Sequence, residues 1–259
     1  MKISIPMMRI LCVLLAYFMF GASLGVNLAQ AQPKTENKQG PDLVVVELFT
    51  SQGCNLCPPA DKILAEFSQQ DNILALSYSV DYWNYLGWKD TLAMAACTSR
   101  QKNYNISLGK NGVYTPQMII QGSHDVIGSR RDLARDKVDQ ARGASRLKGQ
   151  QISFTLSGDM IELSLSAQER KKSATIWVIG YDFEKTVAIK RGELAGQVGT
   201  YRNVVQAIKR VVRWRGEAIK LTLSLKDIGE GSYDGYALLV QEGDTGPILA
   251  ARKIERPEF

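Results

Sequence analysis

The sequence predicts an α/β domain followed by a mostly antiparallel β-sandwich domain. Three observations lead there. Between residues 43 and 144, apolar runs of strand length alternate with stretches of helical period, in the order β-α-β-α-β-β-α. From about residue 150 the texture changes to short segments of period-two alternation separated by turn residues. Where the first strand gives way to the first helix stands the pair Cys54-Asn55-Leu56-Cys57. The 259 residues, 45% apolar and 22% charged, fall in the ordinary globular range and exclude a disordered, collagen-like or multi-span membrane chain.

The elements follow in chain order. Lys2 and Arg9 precede an uncharged apolar run, Ile10 to Leu24, and Ala29-Gln30-Ala31 then offers the small residues a signal peptidase reads. This is the layout of a secretory signal peptide over residues 1–31. The competing reading, an uncleaved anchor, wants a span of about 18–20 apolar residues. Cleavage leaves no stable membrane span and implies a periplasmic or secreted protein. Removing Lys2 and Arg9 leaves 30 basic against 26 acidic residues, an excess too mild to imply nucleic acid. Residues 32–41 are polar, with two prolines and a glycine, and read as a flexible lead-in.

The first domain spans residues 42–148. Leu43–Phe49 is apolar except for Glu47 and suits a buried central strand. Ala60–Phe67 carries Ile63, Leu64 and Phe67 at helical spacing. Ile73–Val80 is the second strand, and Thr91–Tyr104 a second helix. Gln117–Gln121 and Asp125–Ile127 are short strands parted by Gly122, and Arg131–Ala144 is a charged helix. The second domain spans residues 149–259. Ile152, Phe154 and Leu156, then Ser157-Gly158-Asp159, then Ile161, Leu163 and Leu165 write a hairpin. Thr175–Tyr181, Val187–Arg191, Val204–Trp214, Ile219–Leu225, Tyr236–Gln241 and Ile248–Ile254 read as further strands, although Val204, Ile208, Val211 and Val212 also fit a helix.

The chemistry lies in the cysteine pair. Two thiols three residues apart at a helix start can close a short disulfide, and the helix N-terminus favours thiolate. Cys54 would be the attacking thiol and Cys57 the resolving one. Pro58 and Pro59 lack N–H groups, which costs little in a first helical turn. Half a zinc site, a Cys54/Cys57/Cys97/His124 set, a copper site or an inert disulfide would use the same residues. The strand–C-x-x-C–helix context instead reads as a thioredoxin-like domain needing neither cofactor nor metal. Thr115-Pro116, just before the strand Met118–Ile120, stands where such folds place a cis-proline facing the cysteines, with the preceding residue's backbone free to pair an incoming chain. Glu47, seven residues before Cys54, is a candidate buried acid to take the proton of Cys57.

Ser51-Gln52-Gly53-Cys54-Asn55-Leu56-Cys57-Pro58-Pro59-Ala60-Asp61 resembles the signature of a bacterial family of exported thioredoxin-like proteins that carries a domain-of-unknown-function label. Asp81 to Asp90, Arg100-Gln101, Tyr104, Val113 to Gln117 and Gly128-Ser129 are similar to its further motifs. The resemblance spans roughly residues 43 to 255 and implies a thioredoxin-like domain followed by a β-rich one. Cys97 departs from the family's pattern, and Arg191 to Gly196 is a looser copy of its glycine-rich motif. With one histidine, no P-loop and no G-x-S-x-G, most hydrolase chemistry is excluded. Two functions remain. One is a thiol–disulfide oxidoreductase acting through Cys54 and Cys57 on a protein or small-thiol disulfide. The other is a binding or accessory protein whose cysteines form a structural disulfide or hold a metal. Tyr82, Trp83, Tyr85 and Trp88 are expected mainly to pack, His124 to lie at a surface, and the basic stretch Arg130 to Lys148 to be a solvated face.

Overall fold

A computed structural model describes residues 43–142, 147 and 152–256. The expected signal peptide, the lead-in and the junction at residues 148 and 149 lie outside the described residues. Strand β1 (Val44–Thr50) is buried along its whole length, as its apolar run dictates. The Cys54–Cys57 turn follows, then helix α1 (Pro58–Ser68) and strand β2 (Ile73–Ser79). Helix α2 (Ala95–Ser107), strands β3 (Gln117–Ile120) and β4 (His124–Ile127) and helix α3 (Arg131–Ala141) complete the first half. The second half holds β5 (Ile152–Ser157), β6 (Met160–Leu165), β7 (Ala174–Ala188), β8 (Val198–Trp214), β9 (Ile219–Ser224), the single turn α4 (Leu225–Ile228), β10 (Gly235–Glu242) and β11 (Ile248–Glu255).

The fold is α/β, with one large mixed sheet and one small antiparallel sheet. The large sheet runs β11-β10-β7-β8-β2-β1-β3-β4 and the small one β5-β6-β9. The large sheet is continuous across the two halves: β8 meets β2 in parallel at a single position, Ser77 opposite Val204. Alternation along β1 sorts its side chains to two faces. Val44, Val46 and Leu48 pack with Ile63, Leu64 and Phe67 of α1 and Ala134 and Val138 of α3. Val45 and Phe49 pack on the other face with Cys97 and Tyr104 of α2. A third core joins Phe154, Ile161 and Leu163 of the small sheet to Ile176, Trp214 and Leu238 of the large one. Each such fully buried aliphatic side chain contributes about 1.5–3 kcal/mol.

Two expectations change in detail. The expected strands 175–181 and 187–191 are largely one strand, β7, because Glu184 and Lys185 face solvent while the backbone ladder to β8 continues to Ala188. The segment whose period also suited a helix is strand β8, held by β7 along its length. A polar seam ties β11 to β1. Gln121 accepts from Val45 N–H through Oε1 (3.0 Å), donates to the Ile248 carbonyl through Nε2 (2.9 Å), and its own carbonyl accepts from Ile248 N–H (3.0 Å). Gly122 makes this possible. Its φ is +67°, and a Cβ there would lie 2.4 Å from the Gly246 carbonyl oxygen.

Candidate functional site

The loop from β1 into α1 is two successive turns: Cys54 N–H donates to Ser51 O and Cys57 N–H to Cys54 O, both at 3.1 Å. The Cys57 carbonyl then accepts from Ala60 (2.8 Å) and Asp61 (3.1 Å) as α1 begins, with prolines in its first turn. Cys54 and Cys57 are at disulfide distance, their Cα atoms 5.4 Å apart. Both are buried, Cys54 3% exposed and Cys57 fully enclosed, while Leu56 between them is 67% exposed.

The second motif holds this loop in place. Asp90 accepts from Gln52 N–H (2.8 Å) and Leu92 N–H (2.8 Å), and Trp88 Nε1 donates to Gln52 Oε1 (2.8 Å). That bracing keeps residues 91–93 out of the helix, so α2 starts at Ala95 rather than at Thr91. Trp83 connects the cysteine loop to the proline loop. A Cβ on Gly53 would lie 3.0 Å from Trp83 Cβ, and Trp83 Nε1 donates to Thr115 Oγ1 (2.8 Å). The Thr115–Pro116 peptide is cis. Pro116 sits behind α1: a Cβ on Gly128 would meet Leu48 Cδ1 at 2.9 Å, Ala60 Cβ at 3.1 Å and Pro116 Cβ at 3.3 Å. Cys54, Cys57, Thr115 and Pro116 are therefore all anchored around the N-terminal end of α1. The aromatic residues both pack and border the site, since Tyr85 stacks on Trp83 with ring centroids 6.4 Å apart yet is 76% exposed.

The structure does not bring Glu47 to the cysteines. It shares the face of β1 that carries Val45 and Phe49, opposite to α1. There its carboxylate accepts from Arg100 Nε (2.7 Å) and from the Tyr104 hydroxyl, fully buried. Arg100 Nη2 donates on to Tyr104 Oη (3.0 Å) and to Gln241 Oε1 (3.1 Å). Glu47 is one member of an ionic knot between β1, α2 and β10.

A different carboxyl stands near the cysteines. Asp61 lies one helical turn after Cys57 and accepts from Thr50 Oγ1 at 2.8 Å. Removal from water, only partly offset by the Thr50 hydrogen bond, pushes its pKa from 3.8 up to about 7, and the buried Asp90 nearby adds to the rise. Sequence reasoning quoted Asp61 within the motif and assigned it no role. The available signal was its spacing of four from Cys57. Asp61 also lines a cavity of about 380 Å³ between α1, with Pro58 and Lys62, and the β7–β8 arm, with Leu194, Val198 and Tyr201.

The remaining candidates lie apart. Cys97 is a buried free cysteine whose enclosure pushes its thiol up to about 12. His124 is on β4, partly exposed. Among the described residues no three Cys, His, Asp or Glu side chains gather closely enough to hold a metal ion. In the basic stretch, Arg131 and Arg135 pair with Glu66, and Arg142 with Asp139, at the surface. No helix among the described residues is long and apolar enough to cross a membrane.

Among curated proteins no sequence matches the chain. A crystal structure of an Agrobacterium tumefaciens protein is 34% identical, with a TM-score of 0.72 over 86% of this chain and 98% of that one. HBP35 of Porphyromonas gingivalis shares the fold at 13% identity, with a TM-score of 0.55 over 83% of this chain and 75% of that one. The family model described as "Protein of unknown function (DUF1223)" matches residues 45–241, across both halves of the large sheet. The chain therefore belongs to the DUF1223 family.

Proposed function

We propose that this is a thioredoxin-like thiol–disulfide oxidoreductase of the periplasm or extracellular space, working through Cys54 and Cys57 on a protein or small-thiol disulfide. The observation that carries the reading is the cysteine pair in the turn that leads into α1, with a carboxyl of raised pKa in the helix's first turn, four residues after Cys57. The arrangement suits a two-step exchange. The Cys54 thiolate attacks one sulfur of a substrate disulfide, forming a mixed disulfide and releasing the first substrate thiolate. Asp61 takes the proton of Cys57, and the Cys57 thiolate then attacks Cys54 Sγ. The Cys54–Cys57 disulfide forms and the second substrate thiolate leaves. Substrate is reduced by two electrons and the protein's dithiol is oxidised by two. Run backwards, the same steps oxidise a substrate dithiol. Asp61, with a pKa of about 7, exchanges a proton readily at neutral pH, as a base for a thiol should.

One observation favours a second reading. Both cysteines are buried, as in an inert structural disulfide on which the site would be a binding scaffold. The midpoint potential separates the two. The protein is equilibrated in graded glutathione or dithiothreitol buffers and its thiols are read by alkylation and mass shift. A reversible couple between about −120 and −270 mV supports catalysis, and one below about −300 mV supports a structural bond. In the catalytic case Cys57→Ser accumulates mixed disulfides and Cys54→Ser abolishes turnover with little loss of stability.

A further inference from the structure

The β7–β8 arm carries an unused strand edge. Residues 198–202 of β8 pair with β7 on one side, Val198 opposite Ala188 and Arg202 opposite Glu184. On the other side β8 meets β2 at Val204 and through the Asn203 side chain, which donates to the Ala75 carbonyl (2.8 Å), so among the described residues the edge from 198 to 202 has no strand partner. Alternate residues of a strand turn their N–H and C=O groups to each edge, so about half of this segment presents backbone donors and acceptors there. Natural folds ordinarily cover such an edge with a helix or block it with charge and proline. Here α1 packs against β8 yet leaves a cavity beside residues 198–202. The cavity of about 380 Å³ opens to solvent. Val198, 65% exposed, lies at its mouth. Two cations, Lys62 from α1 and Arg202 from β8, line it beside the single carboxyl of Asp61. The pairing of Arg202 with Glu184 is solvent-exposed and therefore weak. Pro58 at the cavity's edge is the residue after Cys57.

We propose that this groove docks an extended polypeptide segment, which adds to the free edge of β8 as a further strand and places an acidic side chain between Lys62 and Arg202. An unpaired edge in a cleft is what strand addition needs. The backbone supplies affinity and the side-chain pockets supply preference. That the docked chain is the redox substrate rests on the oxidoreductase reading; the groove itself does not.

The test uses a fluorescein-labelled, cysteine-free nonapeptide of alternating threonine and valine with one central glutamate, followed by anisotropy on the oxidised protein. Two twins accompany it, one N-methylated at alternate residues and one with lysine for glutamate. The proposal expects binding that weakens about tenfold or more on N-methylation. It expects the glutamate peptide to be preferred about fivefold, with the preference reversed in the doubly substituted K62E/R202E protein. Both substituted side chains reach solvent, so the fold is retained. Equal binding of the N-methylated twin, indifference to K62E/R202E, or no binding overturns the proposal. None of these results touches the midpoint potential or the turnover of a small aromatic disulfide. Loss of those with peptide binding intact overturns the oxidoreductase reading and leaves the groove standing.

Discussion

Asp61→Asn isolates the raised pKa and makes stability depend on pH in a stated direction. The folded carboxyl releases its proton near pH 7 instead of at 3.8, so between those values the folded state holds a proton that the unfolded state has lost. Unfolding free energy therefore falls as pH rises from about 4 to about 7 and stays lowered above. About three pH units at about 1.4 kcal/mol each set a ceiling of about 4 kcal/mol. Asp61 lines an open cavity, where water screens its charge, which brings the expected effect to about 2 kcal/mol. Asparagine keeps an acceptor for Thr50 Oγ1 and removes only the charge. In urea titrations of the oxidised protein, Asp61→Asn should match the parent at pH 4 and exceed it by about 2 kcal/mol at pH 8. If the proposed role holds, the substituted protein also loses an inflection near pH 7 in the rate of the Cys57 step. Curves of stability against pH that run parallel for the two proteins would refute the reasoning.

Arg100→Met should cost about 3–5 kcal/mol, because it leaves the fully buried Glu47 carboxylate without its cationic partner; the double substitution Glu47→Leu with Arg100→Met should recover most of that loss in the same urea titration. Cys97 should resist alkylation in the native protein at pH 8 and react fully once the chain is unfolded, read by mass shift, since burial both shields its thiol and raises its pKa to about 12. Gly128→Ala should destabilise by about 1–3 kcal/mol and shift Pro116 away from α1, seen in the chemical shifts of residues 115–117, because the added methyl meets Leu48 Cδ1 at 2.9 Å. Trp83→Phe keeps the packing at Gly53 but loses the hydrogen bond to Thr115, and should lower thermal stability by about 1 kcal/mol in calorimetry.

Much of the first half was legible because its signals are local. Periods of two and of 3.6, the prolines after Cys57 and the turn at Gly122 are written in neighbouring residues. Glu47 shows where that stops. Its charge inside an apolar strand marked it as a buried acid, and buried it is. But facing depends on parity, and a step of one residue along a strand moves a side chain to the other side of the sheet. Its partner Arg100 is 53 residues away on α2, which no spacing rule connects to it. Asp61 failed for the opposite reason. An acid in the first turn of a helix is ordinary dipole chemistry, and only burial and the charge of Asp90, 29 residues later in the chain, raise its pKa. The length of β7 was missed because its outer part is solvated on both faces. A long two-stranded arm has no apolar period to announce it.

The side chains beyond the sheet explain how a single backbone contact between β2 and β8 suffices to hold the halves in register. Gln241 is fully buried on the face of β10 that carries Ala237 and Leu239. Its Oε1 accepts from Arg100, and its Nε2 donates to Tyr104 Oη (2.8 Å) and to the Gly246 carbonyl (2.8 Å). Sliding β10 by one residue would turn Gln241 to the other face, into the core of Tyr236, Leu238 and Val240. It would leave both an amide and one edge of the Arg100 guanidinium unpaired away from water, and every such buried polar group costs about 1–3 kcal/mol. An apolar pair could fill the same space at equal stability, but it would tolerate the slide. The ionic knot around Glu47 thus sets the register in which β7 and β8, paired to β10 through the sheet, bring the arm beside α1 and its cysteines.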